Sequence, residues 1–336
     1  MGAVNQISQP TSPTMQNRHS VGQNDRSPSV AANTTGMTFA RFSVRWWFIL
    51  GTPLPALVFG VLLMRRNAVP SAIWGQNLVV GLCLMVVCVG VLLLPRPSLR
   101  QLRWGMIFIA VLSVGLLLVT FVDAGLSGVH RWLVLGPLRI HAGALALPAS
   151  ILVFSEVLAH PERKSTGSLA LLVGVGLMGL LLLQPDAAQA SAFAGALIIL
   201  LFFSRQTPCV RWVTALVAAV CAAWSWMRPD PLPPVRHVEG IVGLAAQSGL
   251  LWLLVSIASL ALLPCPFLLS RKRDGRASPN ALALGLYFAL TVIAPCFGQF
   301  PVPLLGYGLS PIVGYFFALA WLLSQSLNHT DVNPTS

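Results

Sequence analysis

Ionisable side chains are scarce in this sequence, and those able to do chemistry gather in three short stretches. The first reads Gly128-Val129-His130-Arg131-Trp132 and runs on to Arg139 and His141. The second centres on Asp186, and the third holds Arg228, Asp230, Arg236, His237 and Glu239. Guanidinium groups close to carboxylates suit an anion site, because the planar fork of Arg matches phosphate or pyrophosphate oxygens. A carboxylate such as Glu239, two residues from His237, is of the type that takes a proton from an attacking hydroxyl. The same residues also read as interface chemistry, with Arg and Trp anchoring helix ends and Asp–Arg pairs tying loops together. Residue type alone leaves both readings open. His130 and His141 lie eleven apart with no third ligand at helical spacing, and no CxxC occurs among Cys83, Cys88, Cys209, Cys221, Cys265 and Cys296. No metal or other cofactor is therefore expected.

What surrounds these residues is overwhelmingly apolar. Of 336 residues, 56% are hydrophobic and 9% charged, against roughly 25% charged in soluble domains. A soluble chain of this length could not hide that much apolar surface, whereas a bilayer accepts it in runs of about 20 residues. Ten such runs follow a polar beginning, near 46–64, 78–95, 104–122, 142–159, 167–183, 187–204, 209–227, 240–263, 279–297 and 301–325. The expected fold is all-α, a polytopic helical bundle of about ten transmembrane helices over residues 45–327. Residues 1–44, rich in Ser, Asn, Gln, Thr and Pro, read as a disordered cytoplasmic tail, and 328–336 as a short one. Gln184-Pro185-Asp186 splits the apolar stretch 167–204 into a helical hairpin. Pro301, Pro303 and the interruption at 306–311 predict a broken tenth helix, tolerated where backbone lines a protein cavity.

The net charge of +12 would suggest nucleic acid in a soluble protein, but no basic run here interleaves with exposed aromatics, so no nucleic-acid partner is expected. The charge instead orients the bundle. With both ends in the cytoplasm, 15 of the 21 Lys and Arg fall in inner segments and 6 in outer loops, as the positive-inside rule requires. All three chemistry-bearing stretches then share the outer face.

Three motifs, in order, resemble the SEDS proteins, the FtsW, RodA and SpoVE group. Gly128-Val129-His130-Arg131-Trp132-Leu133 is similar to the family's Gly-x-Arg-Arg-Trp-Ile before the fourth span. Leu181-Leu182-Leu183-Gln184-Pro185-Asp186-Ala187-Ala188-Gln189-Ala190 resembles its Leu-rich run ending in Gln-Pro-Asp. Pro303-Leu304-Leu305-Gly306-Tyr307-Gly308-Leu309-Ser310 is similar to the closing Pro-Phe-x-Ser-Tyr-Gly-Gly-Ser. The chain departs from the pattern where Gln-Pro-Ser-Glu appears as His141-Ala142-Gly143-Ala144, where the following lysine appears as Leu147, and where the large outer loop shrinks to 228–239. At that loop's end His-Thr-Asp-Phe appears as His237-Val238-Glu239-Gly240.

The resemblance implies a bacterial inner-membrane protein of peptidoglycan and cell-envelope assembly, in division or elongation. It implies a glycosyltransferase polymerising lipid II, a polyprenyl-pyrophosphate-linked disaccharide, beside a class B penicillin-binding protein and other division or elongation membrane proteins. On that reading Glu239, or else Asp230, is the catalytic base, while Arg131, Arg236 and Asp186 bind substrate, in a site degenerate relative to the family. Two alternatives carry the same resemblance: a non-catalytic scaffold of the division or elongation machinery, and a transporter of lipid-linked precursors.

Overall fold

The computed structural model describes residues 44–93, 99–136, 138–159, 164–271 and 275–327. The expected tails at 1–44 (all but its last residue) and 328–336 lie outside the described residues. The described chain is mostly helical. Its helices are α1 (Val44–Gly51), α2 (Pro53–Arg66), α3 (Ser71–Leu93), α4 (Leu99–Val119), α5 (Ala142–Ala159), α6 (Lys164–Leu183), α7 (Ala187–Phe203), α8 (Pro208–Met227), α9 (Ile241–Ser248), α10 (Leu250–Leu262), α11 (Cys265–Leu268), α12 (Pro279–Ile293) and α13 (Leu309–Leu327). Among the described residues, six helical stretches are long and apolar enough to cross a membrane: Trp47–Arg66, Ser71–Val91, Ala142–Ala159, Pro208–Met227, Leu250–Leu268 and Pro279–Cys296. Four shorter apolar helices accompany them, Trp104–Val119, Gly167–Leu183, Ala187–Phe203 and Leu309–Gln325.

Where the helices break follows from local chemistry. Pro53 cannot donate a backbone hydrogen bond, and α1 gives way to α2 there, with Thr52 Oγ1 donating to the Ile49 carbonyl at 2.8 Å. Gly249 separates α9 from α10 at φ +124°, a conformation open only to glycine. Sequence periodicity reads 240–263 as one helix because a single glycine does not interrupt the apolar pattern. The tenth segment differs more from expectation. Residues 301–308 form a loop, and α13 begins only at Leu309. Pro301 and Pro303 withhold two donors, and Leu304 sits at φ +61°. The loop closes on itself instead, through Leu305 N–H to the Pro303 carbonyl at 2.7 Å and Gly306 N–H to the Val302 carbonyl at 3.1 Å.

A two-stranded hairpin, absent from the sequence expectation, precedes α5. Strands β1 (Trp132–Leu135) and β2 (Leu138–His141) are antiparallel, pairing Trp132 with His141 and Val134 with Arg139. The runs are four residues each, too short for their alternation to stand out from the apolar background.

The core of the bundle is α5, α7 and α13, with α7 packed on α12, α8 and α5, and α13 on α3 and α5. Burying helices against each other in an apolar solvent requires close backbone approach more than bulk. Gly314 supplies it: a Cβ there would lie 2.2 Å from the Ala144 carbonyl oxygen and 3.3 Å from Pro148 Cγ. Pro148 sits inside α5 and cannot donate to the carbonyl four residues back, so α13 lies over an acceptor that α5 leaves free. Gly314→Ala is expected to destabilise the fold by about 1–3 kcal/mol, read as a lower thermal unfolding midpoint in detergent.

Candidate functional site

The three chemistry-bearing stretches meet at one end of the bundle. The hairpin base fixes the first of them. Ala142 N–H donates to the Arg131 carbonyl at 3.0 Å, and the edge of the Trp132 ring meets His141, with centroids 5.7 Å apart. Arg131 is thereby turned into the protein and is 1% exposed. A buried guanidinium needs a carboxylate, and Asp230 provides it: Nη2 lies 2.7 Å from Asp230 Oδ2. The same nitrogen donates to the Pro185 carbonyl, and the guanidinium carbon stands 5.2 Å over the Phe300 ring. One side chain therefore joins the hairpin, the α6–α7 turn and the loop after α8. Asp230 is held in turn by Leu232 N–H, which donates to its Oδ1 at 3.3 Å.

The α6–α7 turn is built by Gln184-Pro185-Asp186. Gln184 is fully buried and donates from Nε2 to Thr120 Oγ1 at 2.8 Å and to the Leu117 carbonyl at 3.1 Å, tying α6 to the end of α4. Asp186 caps α7, its Oδ1 accepting from Gln189 N–H at 3.2 Å, which satisfies one of the helix's first free donors. Its other oxygen lies 3.4 Å from His141 Nε2. His141 Nδ1 accepts the Ala144 N–H at 3.3 Å, so in the neutral ring the proton sits on Nε2. Burial keeps His141 below the usual histidine range; the Asp186 charge works against that and the Arg131 charge with it.

Glu239 closes the third stretch. The chain turns tightly over the Val235 carbonyl, which accepts from Val238, Glu239 and Gly240 N–H at 3.0–3.1 Å. Glu239 Oε2 in return accepts from Val235 N–H at 2.8 Å. Glu239 is half-buried, and that burial raises its carboxyl above the usual range, opposed by the Val235 N–H bond and the Arg131 charge. His237 is lowered by burial. Arg236 is exposed and reaches Gln247 Oε1 at 3.3 Å, while Arg139 and Arg228 are exposed on neighbouring loops. Of the five residues singled out from sequence, the structure brings Arg131 and Asp230 into direct contact. It sets Asp186 beneath them against His141, and leaves Arg236 and Glu239 on the adjoining turn.

Beneath that turn lies the loop 301–308. Val302 N–H donates to the Val238 carbonyl at 3.4 Å, and Tyr307 N–H to the His237 carbonyl at 2.8 Å. A Cβ on Gly306 would stand 2.5 Å from the Val238 oxygen. Asn77 of α3 clamps the loop from below, donating to the Gly306 carbonyl at 2.9 Å and accepting from Gly308 N–H at 3.3 Å. Asn77 is 1% exposed, so Asn77→Ala strands the buried Gly306 carbonyl and the part-buried Gly308 N–H. A loss of about 1–3 kcal/mol is expected, with faster proteolysis in the 235–240 turn as the check. Asn77, Tyr287 and Thr291 were not singled out from the sequence, and Gln189 and Ser310 stood there only as members of motifs. Their signal was a polar residue inside an apolar run, where a buried amide or hydroxyl must find a partner.

Comparison with known proteins places this geometry. The family model for FtsW, RodA and SpoVE, described as a cell cycle protein, matches residues 45–230, more than half the chain. No curated protein matches the chain significantly. Among solved structures, it is similar to the rod shape determining protein RodA of Thermus thermophilus. A point mutant of that protein superposes with a TM-score of 0.63 at 18% identity, covering 85% of this chain and 98% of that one. The RodA structure without that mutation gives 0.60 at 20%, covering 87% and 99%. A structure from work on how a peptidoglycan synthase complex coordinates polymerisation and crosslinking gives 0.62 at 20%, covering 85% and 98%. With the family match and the shared helical fold, this chain belongs to the SEDS family, the FtsW, RodA and SpoVE group of membrane proteins of peptidoglycan synthesis.

Proposed function

We propose that this protein works at the outer face of the bacterial inner membrane on lipid II or a related polyprenyl-pyrophosphate glycan, beside a class B penicillin-binding protein. In this reading the ten helical segments are ten spans, with both ends in the cytoplasm. The meeting of the α4–α5, α6–α7 and α8–α9 connections at one end of the bundle supports the alternation that such a topology requires. Among the solved structures similar to this chain, one comes from a peptidoglycan synthase complex, which supports the choice of partner.

The observation that carries the reading is Glu239: a half-buried carboxylate on a turn held by the 301–308 loop, at the position the sequence resemblance matches to the family's carboxylate, and raised by burial above the usual glutamate range. Extension of a glycan needs a base for the acceptor hydroxyl and cations for the departing pyrophosphate. Glu239 takes the first role. Arg236, exposed three residues away, takes the second with Arg139 or Arg228. Arg131 and Asp230 neutralise each other in a buried pair, so both act as structure, and Asp186 lies below the surface a substrate reaches. The site is thus reduced relative to the family pattern. That reduction, with the short 228–239 loop, favours a second reading, a scaffold of the division or elongation machinery. A photo-crosslinking residue at Arg236 separates them. Capture of a lipid II probe that excess unlabelled lipid II abolishes supports the first; capture of protein partners alone supports the scaffold.

A further inference from the structure

Below the surface just described, between α7, α12 and the start of α5, is a small cavity lined by His141, Asp186, Gln189, Tyr287 and Thr291, with Phe300 across it. It offers about 20 Å³ to the centre of a water-sized particle, room for one such particle or little more. Asp186 is 1% exposed, and its Oδ2, which faces His141 across the cavity, has no hydrogen-bond donor among the described residues. The two hydroxyl groups there have already given their protons elsewhere. Tyr287 gives its hydroxyl proton to Gln189 Oε1 at 2.6 Å, and Thr291 gives its own to the Phe288 carbonyl at 2.9 Å. Both hydroxyl oxygens keep free lone pairs.

The charges do not balance. Asp186 brings a negative charge into a buried place, where an uncompensated carboxylate is costly. The one neighbouring guanidinium, Arg131, is committed to Asp230 and the Pro185 carbonyl. The Nε2 of His141 stands 3.4 Å from the carboxylate, longer than an ordinary N–H···O hydrogen bond. Ser310, from the start of α13, donates no charge; its Oγ accepts from the His141 N–H at 2.8 Å. What remains is the unpartnered Asp186 Oδ2 with two hydroxyl oxygens free to accept on the same cavity.

The geometry points to a binding site for one small monovalent cation of sodium size in this cavity, held by the Asp186 carboxylate and the Tyr287 and Thr291 hydroxyl oxygens. Hard oxygen donors suit such an ion, whereas a magnesium ion demands a near-ideal octahedron and keeps several of its waters, for which the cavity lacks room. The site goes beyond the proposed glycan chemistry and stands whether or not the protein is an active enzyme. Bound sodium locks α7, α12 and the α6–α7 turn together, under the surface that carries Glu239.

Thermal unfolding of the detergent-purified full chain at fixed ionic strength tests this, exchanging choline chloride for sodium chloride. A ligand that binds only the folded state raises the midpoint with its concentration, and a rise of roughly 1–3 °C is expected once sodium exceeds its dissociation constant several-fold. Asp186→Asn keeps the α7 cap, since Asn caps as well as Asp. It is expected to unfold at the same temperature in both salts. Thr291→Val is expected to need more sodium for the same rise. Equal wild-type midpoints in sodium and choline would overturn the assignment, as would a sodium response retained in Asp186→Asn. Stabilisation by mild acid with no sodium effect would also overturn it, because the Asp186–His141 pair would then hold a proton in place of an ion.

Discussion

Replacing Arg131 by methionine is expected to lower the stability of the whole outer end by about 3 kcal/mol, the lower end of what breaking a buried ion pair costs. In a chain of this size that is a fall of roughly 4–6 °C in the thermal midpoint. The reason is connectivity. A single nitrogen of Arg131 serves both Asp230 at 2.7 Å and the Pro185 carbonyl, so its loss unties the hairpin from the α6–α7 turn and from the loop after α8. Asp230 is 19% exposed and recovers part of its hydration. Asp230→Leu is therefore expected to be the worse single change, since it leaves a guanidinium that is 1% exposed with only a carbonyl for company. Combining Arg131→Met with Asp230→Leu is expected to regain most of the loss, because an apolar pair replaces a buried ion pair at little net cost. A double-mutant cycle on thermal midpoints reads the coupling directly. If Arg131→Met unfolds like the wild type but no longer captures lipid II, Arg131 grips substrate and the structural assignment is wrong.

The largest effect on activity is expected at Glu239. Glu239→Gln keeps an oxygen to accept the Val235 N–H and nearly the same volume, so the fold should hold. It removes the proton acceptor, which costs on the order of 10²- to 10⁴-fold in rate. The pH profile carries a second signature. Burial raises the Glu239 carboxyl, so the base is lost as pH falls through a value above the ordinary glutamate range. The acid limb of the wild-type rate should lie correspondingly high, and the residual rate of Glu239→Gln should lack that limb. A wild-type acid limb in the ordinary carboxylate range, or an unchanged limb in the variant, would assign the titration to another group.

Most of the helical architecture is legible in the sequence, because a bilayer imposes one strong pattern, the long apolar run. The α6–α7 hairpin follows from Gln184-Pro185-Asp186 for the same reason: polar residues and a proline interrupt such a run only where it turns. The hairpin before α5 was not legible, since Leu133, Val134, Leu135, Leu138 and Ile140 are as apolar as any span and too few to show alternation. The site was half legible. Residue type marked Arg131 and Asp230 as chemistry, but only distance reveals that they satisfy each other. Periodicity had no means of finding Asn77 or Tyr287, whose importance lies in contacts more than two hundred and nearly one hundred residues away along the chain. The loop 301–308 was foreseen as a break in a helix. Its role as the shelf beneath Glu239 came only with the pairing of Tyr307 N–H to the His237 carbonyl.

On the proposed function, Glu239 is the base for glycan synthesis from lipid II on this shortened loop. The direct test is the initial rate of lipid II polymerisation by the purified protein together with a class B penicillin-binding protein. Wild type is compared with Glu239→Gln at matched thermal stability. Polymeric glycan from the wild type and a loss of at least about 100-fold in the variant are expected. No product from the wild type, under conditions where a family member of established activity yields polymer, or equal product from both proteins, would overturn that role for Glu239.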